Sequence, residues 1–475
     1  MPDQALQWKP QLSNQKGPKY LALVRALREG IREGKLVPGQ KLPTVRDLAW
    51  RLGVTPGTVA RGYQIATQEG LLQAEVGRGT FVSIQSARLG PTEPLYSNSS
   101  YEHREGQNDG VVDFRSPILP DVGQAAALSR AMAEAAREVN DQYLKYPGLR
   151  RDAYCREAVL EWFPPGCSLR SLVTVEDVVL TLGGQNGLSL VMQCCLRGDR
   201  PVVFAEELAY PGFRHAARLH RAEIQPIALD DEGMIPEALD HAARRYNGQL
   251  VFITPDAQNP TAVRMGTARR IAIAEVARRH NLQIVEDDCY TAPVTNLPAM
   301  RTVAPERSWY VTSLSKTISA GMRFGIVVAP DGMGEAGRLT AQHSYFGLPR
   351  PVTDMVTRLF TSGDAMRLRF AAQAEMDRRL KMAINILGAQ EITWQEGLSF
   401  LWMRLPLGWR SSTFVRMAEA EGVLLRSADE YVLQDGHAPN AVRIALSGGV
   451  SEELMCQALT RLTVLLQNQP NDLPV

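Results

Sequence analysis

The chain has 475 residues, 45% of them hydrophobic, which is enough apolar material for two cores and a length that favours two or three domains. Six cysteines lack any C-x-x-C pair or His-spaced set, and two are adjacent at Cys194–Cys195, which suits a reducing cytoplasm better than a disulfide frame, and no metal site is expected. With neither a signal peptide nor an apolar run able to span a bilayer, and with no internal repeat, the sequence predicts a soluble cytoplasmic protein whose formal net charge is only +1.

From Pro18, the run YLALVRALREGIREGKL places Leu21, Val24, Leu27 and Ile31 three and four residues apart, the period of an amphipathic helix, and the helix is expected to stop at Pro38-Gly39. KLPTVRDLAWRLG offers Thr44 as an N-cap for a short helix ending at Gly53. Another helix is expected after Thr55-Pro56-Gly57, with Tyr63 and Ile65 packing inward, and two short helices across a Gly-containing turn read as helix-turn-helix. LLQAEVGRGTFVSI closes the unit as a hairpin around Gly77-Arg78-Gly79. Between Lys9 and Gln85 there are 12 Lys and Arg against 5 Asp and Glu, so the remainder of the chain is net acidic. A basic module on a near-neutral body is the electrostatic footprint of a nucleic-acid binder, because phosphate neutralisation supplies most non-specific affinity.

This unit, placed at residues 9–85, resembles the winged helix-turn-helix domain of the GntR regulators. The resemblance implies a double-stranded DNA operator, with Arg46, Thr55, Thr58 and the wing residues Arg78 and Gly79 as contacts and Lys41 against phosphate. The chain departs from the family at Pro56 and Gly57, where an arginine and a polar residue are common. Arg61, one turn further on, is the expected substitute, since arginine pairs best with guanine in the major groove.

Residues 86–110 turn polar around Gly90, Pro91 and Pro94 and read as a flexible linker, leaving 111–470 as the large domain. Along it lie TLGGQNGL with Gly184 and Gln185, ELAYPGF with Tyr210, and TPDAQNPTA with Asn259. EDDCY, carrying Asp287 and Tyr290, follows an apolar strand at Leu282–Val285. TSLSKTISAGMRFG then sets Lys316 among Ser313, Ser315 and other hydroxyl residues, seven positions before Arg323. A lysine can condense with an aldehyde, and hydroxyls with an arginine can hold a phosphate dianion through charge-assisted hydrogen bonds, the needs of a pyridoxal 5'-phosphate site. An acid at Asp287 can pair with a pyridinium nitrogen, and a tyrosine one turn on can bond a phenolate oxygen. Each residue also has a plain reading, such as a solvated Asp287–Asp288 pair or an ordinary packed Tyr210.

In this order the residues resemble the fold-type I aminotransferases, from about Val112 to near the C-terminus. The resemblance implies that Lys316 is the Schiff-base lysine, that Asp287 meets the pyridine nitrogen, and that Asn259 and Tyr290 meet the ring oxygen. It implies that Gly184 and Gln185 offer backbone N–H groups to the phosphate at a helix N-terminus, with Ser313, Ser315 and Arg323 beside them. Tyr210 then stacks on the cofactor, and Arg443, in NAVRIALSG, clamps an effector carboxylate. The family's Asp-Pro-x-Gly stretch is replaced by YPGLRRDAYCREA from Tyr146, ten positions before Arg156, so the helix aligns while the loop toward the neighbouring subunit is altered.

Together the two halves resemble the MocR-type transcriptional regulators. The expected architecture is multidomain: the winged helix-turn-helix, then an α/β transferase-like domain with a mainly parallel sheet flanked by helices, then a smaller C-terminal α/β part from about Met355. The resemblance implies a head-to-tail homodimer that senses a small amine or amino acid through the cofactor aldimine. γ-Aminobutyrate, taurine, diamino acids and pyridoxal phosphate itself are family-type effectors. Two other readings stay open: an active aminotransferase with an accessory N-terminal domain, and a dimerisation scaffold without ligand.

Overall fold

Helix α1 (Lys19–Arg32) turns Leu23 and Leu27 inward, leaving Leu21 and Ile31 half-buried. It ends at Arg32 and not at Pro38, because Gly34 takes the left-handed conformation (φ 72°) that a glycine adopts without steric penalty, and Leu36 folds back to donate its N–H to Gly30 at 2.9 Å. This computed structural model describes residues 8, 10, 18–68, 70–75, 79–83, 110–138, 141–290, 297–433, 436 and 438–467. The chain divides into two units, Met1–Ser99 and Ser100–Val475.

In the first unit, α2 (Val45–Leu52) is capped by Thr44, whose Oγ1 accepts from the Asp47 N–H at 3.2 Å, and stops at Gly53 with φ 62°. Helix α3 (Pro56–Gln68) starts at Pro56, ahead of the expected point, since a proline in the first helical turn gives up an amide hydrogen that has no partner there anyway. Strands β1 (Leu72–Glu75) and β2 (Gly79–Val82) form the expected hairpin, with Leu72 opposite Val82 and Glu75 opposite Gly79. Leu23, Leu27, Leu48, Val59, Tyr63, Leu72 and Val82 share one core, and the Tyr63 hydroxyl donates to the Pro43 carbonyl at 2.9 Å. Ile65 is half-buried.

The second unit is built on a seven-stranded sheet of β3 (Val178–Thr181), β4 (Val202–Glu206), β5 (Glu223–Ile227), β6 (Gly248–Ile253), β7 (Gln283–Asp287), β8 (Ser308–Ser313) and β9 (Gly325–Val328). Their order across the sheet is β3-β9-β8-β7-β6-β4-β5, and only β9 runs antiparallel to its neighbours. The central strands are continuous apolar runs such as Val178–Leu180 and Leu250–Ile253, as a sheet covered on both faces requires. Helix α4 (Gly184–Cys195) follows β3 directly, and α5 (Pro211–Leu219) follows β4. In open α/β sheets, ligands bind outside the carboxyl ends of the strands, and here those ends bring Thr181, Glu206, Ile253, Asp287 and Ser313 to one edge.

A smaller antiparallel sheet has the order β10-β11-β13-β12, from β10 (Ile392–Thr393), β11 (Phe400–Arg404), β12 (Arg426–Ser427) and β13 (Ala441–Ala445). The expected start of this part near Met355 is corrected by the packing. Met355, Val356 and Leu359 belong to the core of the large sheet, whereas Met376, Leu380 and Ala383 in the second half of the Asp364–Leu387 helix pack with β11 and β13. Val112 and Phe114, from the start of the unit, join that second core, and Val112–Asp113 pairs with Val423–Leu424. The segment from Tyr146 gives only a short helix, Ala153–Ala158, in which buried Arg156 donates to Asp152 at 3.0 Å. Tyr146 is exposed and stacks on Phe346, with ring centroids 5.3 Å apart.

Candidate functional site

At the end of β3 the backbone must make room. Gly183 has φ 87°, and a Cβ there would lie 2.6 Å from Arg323 Nη2, while a Cβ on Gly184 would lie 2.4 Å from Cys289 Sγ. Glycines are therefore required for this close approach of three segments, which brings the Arg323 guanidinium against the start of α4. Arg323 itself holds φ 49°, an unfavourable conformation for a residue with a side chain, and its Nη2 donates to the Leu182 carbonyl at 3.3 Å. Ser313 is buried at the end of β8, and Ser315 and Lys316 are half-buried in the 3-10 turn Leu314–Lys316 that follows. Gln185 donates to the Gly212 carbonyl at 2.8 Å and comes against Tyr210, since a Cβ on Gly212 would meet both side chains at 2.2–2.3 Å.

Next along this edge stands Asp287, which accepts from the Cys289 N–H at 2.9 Å. Burial pushes its carboxyl pKa up and the Cys289 contact opposes this. The Cys289 thiol is pushed well above its usual range, first by burial and then by the Asp287 charge. Asn259 is 4% exposed, and its Oδ1 has no hydrogen-bond partner among the described residues. A buried amide oxygen without a partner costs of the order of 1–3 kcal/mol.

Three residues that sequence reasoning did not single out hold Asn259 in place. Buried Glu206 accepts from Thr254 at 2.8 Å and from Gln258 at 3.2 Å. Thr254 in turn receives the Asn259 N–H at 3.4 Å, and Gln258 also donates to the Leu208 carbonyl at 2.6 Å. Burial raises the Glu206 pKa to about 7, opposed by its two donors and assisted by the nearby Asp287 charge. Polar residues clustered in TPDAQNPT are the only sequence signal for this network.

Arg443, on β13, is 5% exposed and donates to the Tyr290 hydroxyl at 2.6 Å and the Tyr431 hydroxyl at 2.8 Å. Its guanidinium lies 4.3 Å from the Phe400 ring centroid. Tyr431 is tied back to the Tyr210 segment, because its carbonyl accepts from the Ala209 N–H at 2.9 Å. The small sheet thus meets the edge of the large one, where its guanidinium bonds Tyr290, three residues after Asp287.

In the first unit, Arg46, Thr55, Lys41 and Gly79 are exposed and Thr58 is half-buried. Thr55 Oγ1 accepts from the Thr58 N–H at 3.3 Å and lies 2.9 Å from the Thr58 hydroxyl, so both have a capping role before any DNA arrives. Lys41 and Gly79 adjoin, since a Cβ on Gly79 would lie 3.0 Å from the lysine Cε. The Arg61 guanidinium stacks 4.5 Å from the Tyr20 ring centroid, a contact it must leave to read a base. Arg78 lies outside the described residues.

The model of aminotransferase class I and II matches residues 110–462, and that of bacterial regulatory proteins of the gntR family matches residues 19–82. An uncharacterised HTH-type transcriptional regulator of Bacillus subtilis, YdeF, is 26% identical over 466 residues, covering 98% of this chain and 97% of its own. The HTH-type transcriptional regulator TauR of Rhodobacter capsulatus is 26% identical, covering 90% of this chain and 92% of its own. Among solved structures, Pyrococcus horikoshii kynurenine aminotransferase in complex with PMP superposes with a TM-score of 0.69 at 20% identity, covering 80% of this chain and 96% of that one, a likeness of fold. The chain belongs to the aminotransferase class I and II family and, with a gntR-family unit ahead of that domain, is a transcriptional regulator of the MocR kind.

Proposed function

We propose that the large unit holds pyridoxal 5'-phosphate and that the regulator senses a small amine carrying an acidic group through it. The carrying observation is the cradle at Gly183, Gly184 and Arg323, in which no Cβ fits, on the same strand edge as Lys316 and the unpartnered Oδ1 of Asn259. The residues fit the group. Gly184 and Gln185 amides, the Ser313 and Ser315 hydroxyls and Arg323 would hold the phosphate, Tyr210 would cover the ring, and Asp287 would hold the proton on the ring nitrogen. Asn259 and Tyr290 would orient the ring oxygen, with the Asn259 amide turned so that its nitrogen donates. When bound, the cofactor supplies an aldehyde that condenses reversibly with primary amines. Lys316 is the chain's own amine for that exchange, and Arg443 receives the acid of the incoming molecule. The fold's likeness to an aminotransferase solved with PMP supports this reading.

The exposed Arg46 and Lys41, on a unit with an excess of basic residues, support DNA as the partner of the first unit. A homodimer in the cytoplasm is the setting this requires, since paired half-sites call for paired readers. Active transamination is the competing reading, and the full set of residues at the strand edge is what favours it. Purified protein is expected to be yellow, and borohydride reduction to fix the chromophore to the peptide containing Lys316. K316A should be colourless with an unchanged far-ultraviolet spectrum. Protein that stays colourless after incubation with pyridoxal phosphate sinks the reading.

A further inference from the structure

The Arg443 fork is not prepared for a ligand by Arg443 alone. Its Nη1 donates to the Tyr431 hydroxyl at 2.8 Å and its Nη2 to the Tyr290 hydroxyl at 2.6 Å. A tyrosine that accepts from a guanidinium still has its own O–H to donate. Tyr431 is 1% exposed, and its phenolic hydrogen has no acceptor among the described residues. Its ring is fixed on the other side by Leu208, Trp402 and Ala428, and its backbone by the Ala209 N–H, so the hydroxyl cannot swing out to water. A buried donor held against a cation and lacking a protein acceptor is well placed to donate to an anion, which the adjacent guanidinium favours over a neutral acceptor.

We propose that Tyr431 is a ligand-binding residue that donates its hydroxyl hydrogen to the oxyanion of the molecule seated on Arg443, making the site selective for amines that carry a carboxylate or sulfonate. This rests on the reading of the large unit as a pyridoxal phosphate site for acidic amines, and adds the residue that recognises the acid beside Arg443. The guanidinium supplies charge and Tyr431 supplies the further directed donor. Because Tyr431 is tied to the Tyr210 segment, an oxyanion that pulls on its hydroxyl also pulls on the backbone beside the cofactor's stacking residue. An alkylamine of the same length leaves the phenolic hydrogen buried and without an acceptor, and so is disfavoured even where it fits.

The test is Tyr431→Phe, which keeps the ring and removes only the hydroxyl. In coloured, cofactor-loaded protein, the visible spectrum is titrated with glycine, L-alanine, 4-aminobutanoate, 2-aminoethanesulfonate and propylamine. Separately, the thermal melt of the cofactor-free chain is followed with propionate and methanesulfonate, which need no cofactor. Y431F should keep its colour, melt somewhat lower without ligand because Arg443 Nη1 loses its acceptor, bind the acidic probes about tenfold more weakly, equivalent to ~1.4 kcal/mol, and bind propylamine like the parent. The carboxylate and sulfonate arms say which oxyanion the site takes. Equal affinity of Y431F and parent for every acidic probe overturns the proposal. So does a parent that melts at the same temperature with or without propionate and methanesulfonate. Should Y431F lose ground alike for propylamine and the acids, the residue is structural and the proposal also falls. Loss of colour in the parent is a different failure, that of the cofactor reading.

Discussion

Glu206 shows what a single buried group contributes. Its carboxyl sits at the end of β4 with two donors on one oxygen, while Oε1 has no partner among the described residues. Burial raises its pKa from 4.5 to about 7. A carboxyl whose folded-state pKa lies above its unfolded value binds more protons in the folded state. Its stabilising contribution is therefore complete below pH 4.5 and is lost as pH rises to about 7. Glu206→Gln keeps the acceptor for Thr254 and Gln258 and places an amide where the unpartnered oxygen stood. E206Q should melt higher than the parent at pH 8, by at most about 3 kcal/mol of stability, and the gap should close toward pH 5. Buried Glu286, raised to about 8, tilts both proteins the same way, so the difference between them isolates Glu206. A constant gap across that range would show that Glu206 does not titrate there. Because Thr254 and Gln258 position Asn259, the same variant reports whether the network tunes the site or only carries the fold.

Among elements, the junction of β3, α4 and β7 is the tightest. A Cβ on Gly184 would lie 2.4 Å from Cys289 Sγ but 3.9 Å from its Cβ. Gly184→Ala alone should cost roughly 1–3 kcal/mol by overpacking and weaken binding of the proposed cofactor. Cys289→Ala removes the sulfur and leaves ordinary van der Waals contact, so the double variant should recover most of the loss in thermal melts and in cofactor affinity. Additive losses would mean that the two residues do not meet. The same junction shows what was legible beforehand. Gly184, Asp287, Lys316 and Arg323 lie in short local patterns whose spacing follows from strand-turn-helix geometry, and the structure places all four along one strand edge. Cys289 stood in the same motif, but its contact with Gly184 spans more than a hundred residues and no periodicity reveals it. Glu206 with Gln258 and Arg443 with Tyr431 escaped for a related reason, since the chain between partners leaves no pattern. Caps were readable, as at Thr44 and Gly53, because they are local chemistry. The end of α1 was not, because Gly34 competes with a period that continues past it.

At the scale of the whole molecule, the proposed function requires that an amine at one unit change DNA binding by another. A ligand moves a conformational equilibrium only through its differential affinity for the two states, and a shift from mostly one to mostly the other needs about 5.5 kcal/mol. Exchange of a covalent partner at Lys316 is a reasonable source of that difference, whereas turnover would release the ligand and reset the site. DNA affinity itself should come from the first unit, with log K falling against log salt by about 0.9 per phosphate contacted. Arg46→Ala should lower that slope by about one if Arg46 meets phosphate. K316A should bind the chain's own upstream DNA with the parent's affinity and salt slope. An acidic amine should shift the parent's affinity by roughly 5- to 150-fold and leave K316A unmoved, with both read by fluorescence anisotropy on one labelled duplex. If K316A responds like the parent, the covalent switch is wrong even though the DNA partner stands. If the parent transaminates common amino acids at ordinary enzyme rates, the accessory-domain aminotransferase becomes the better account of the same strand edge.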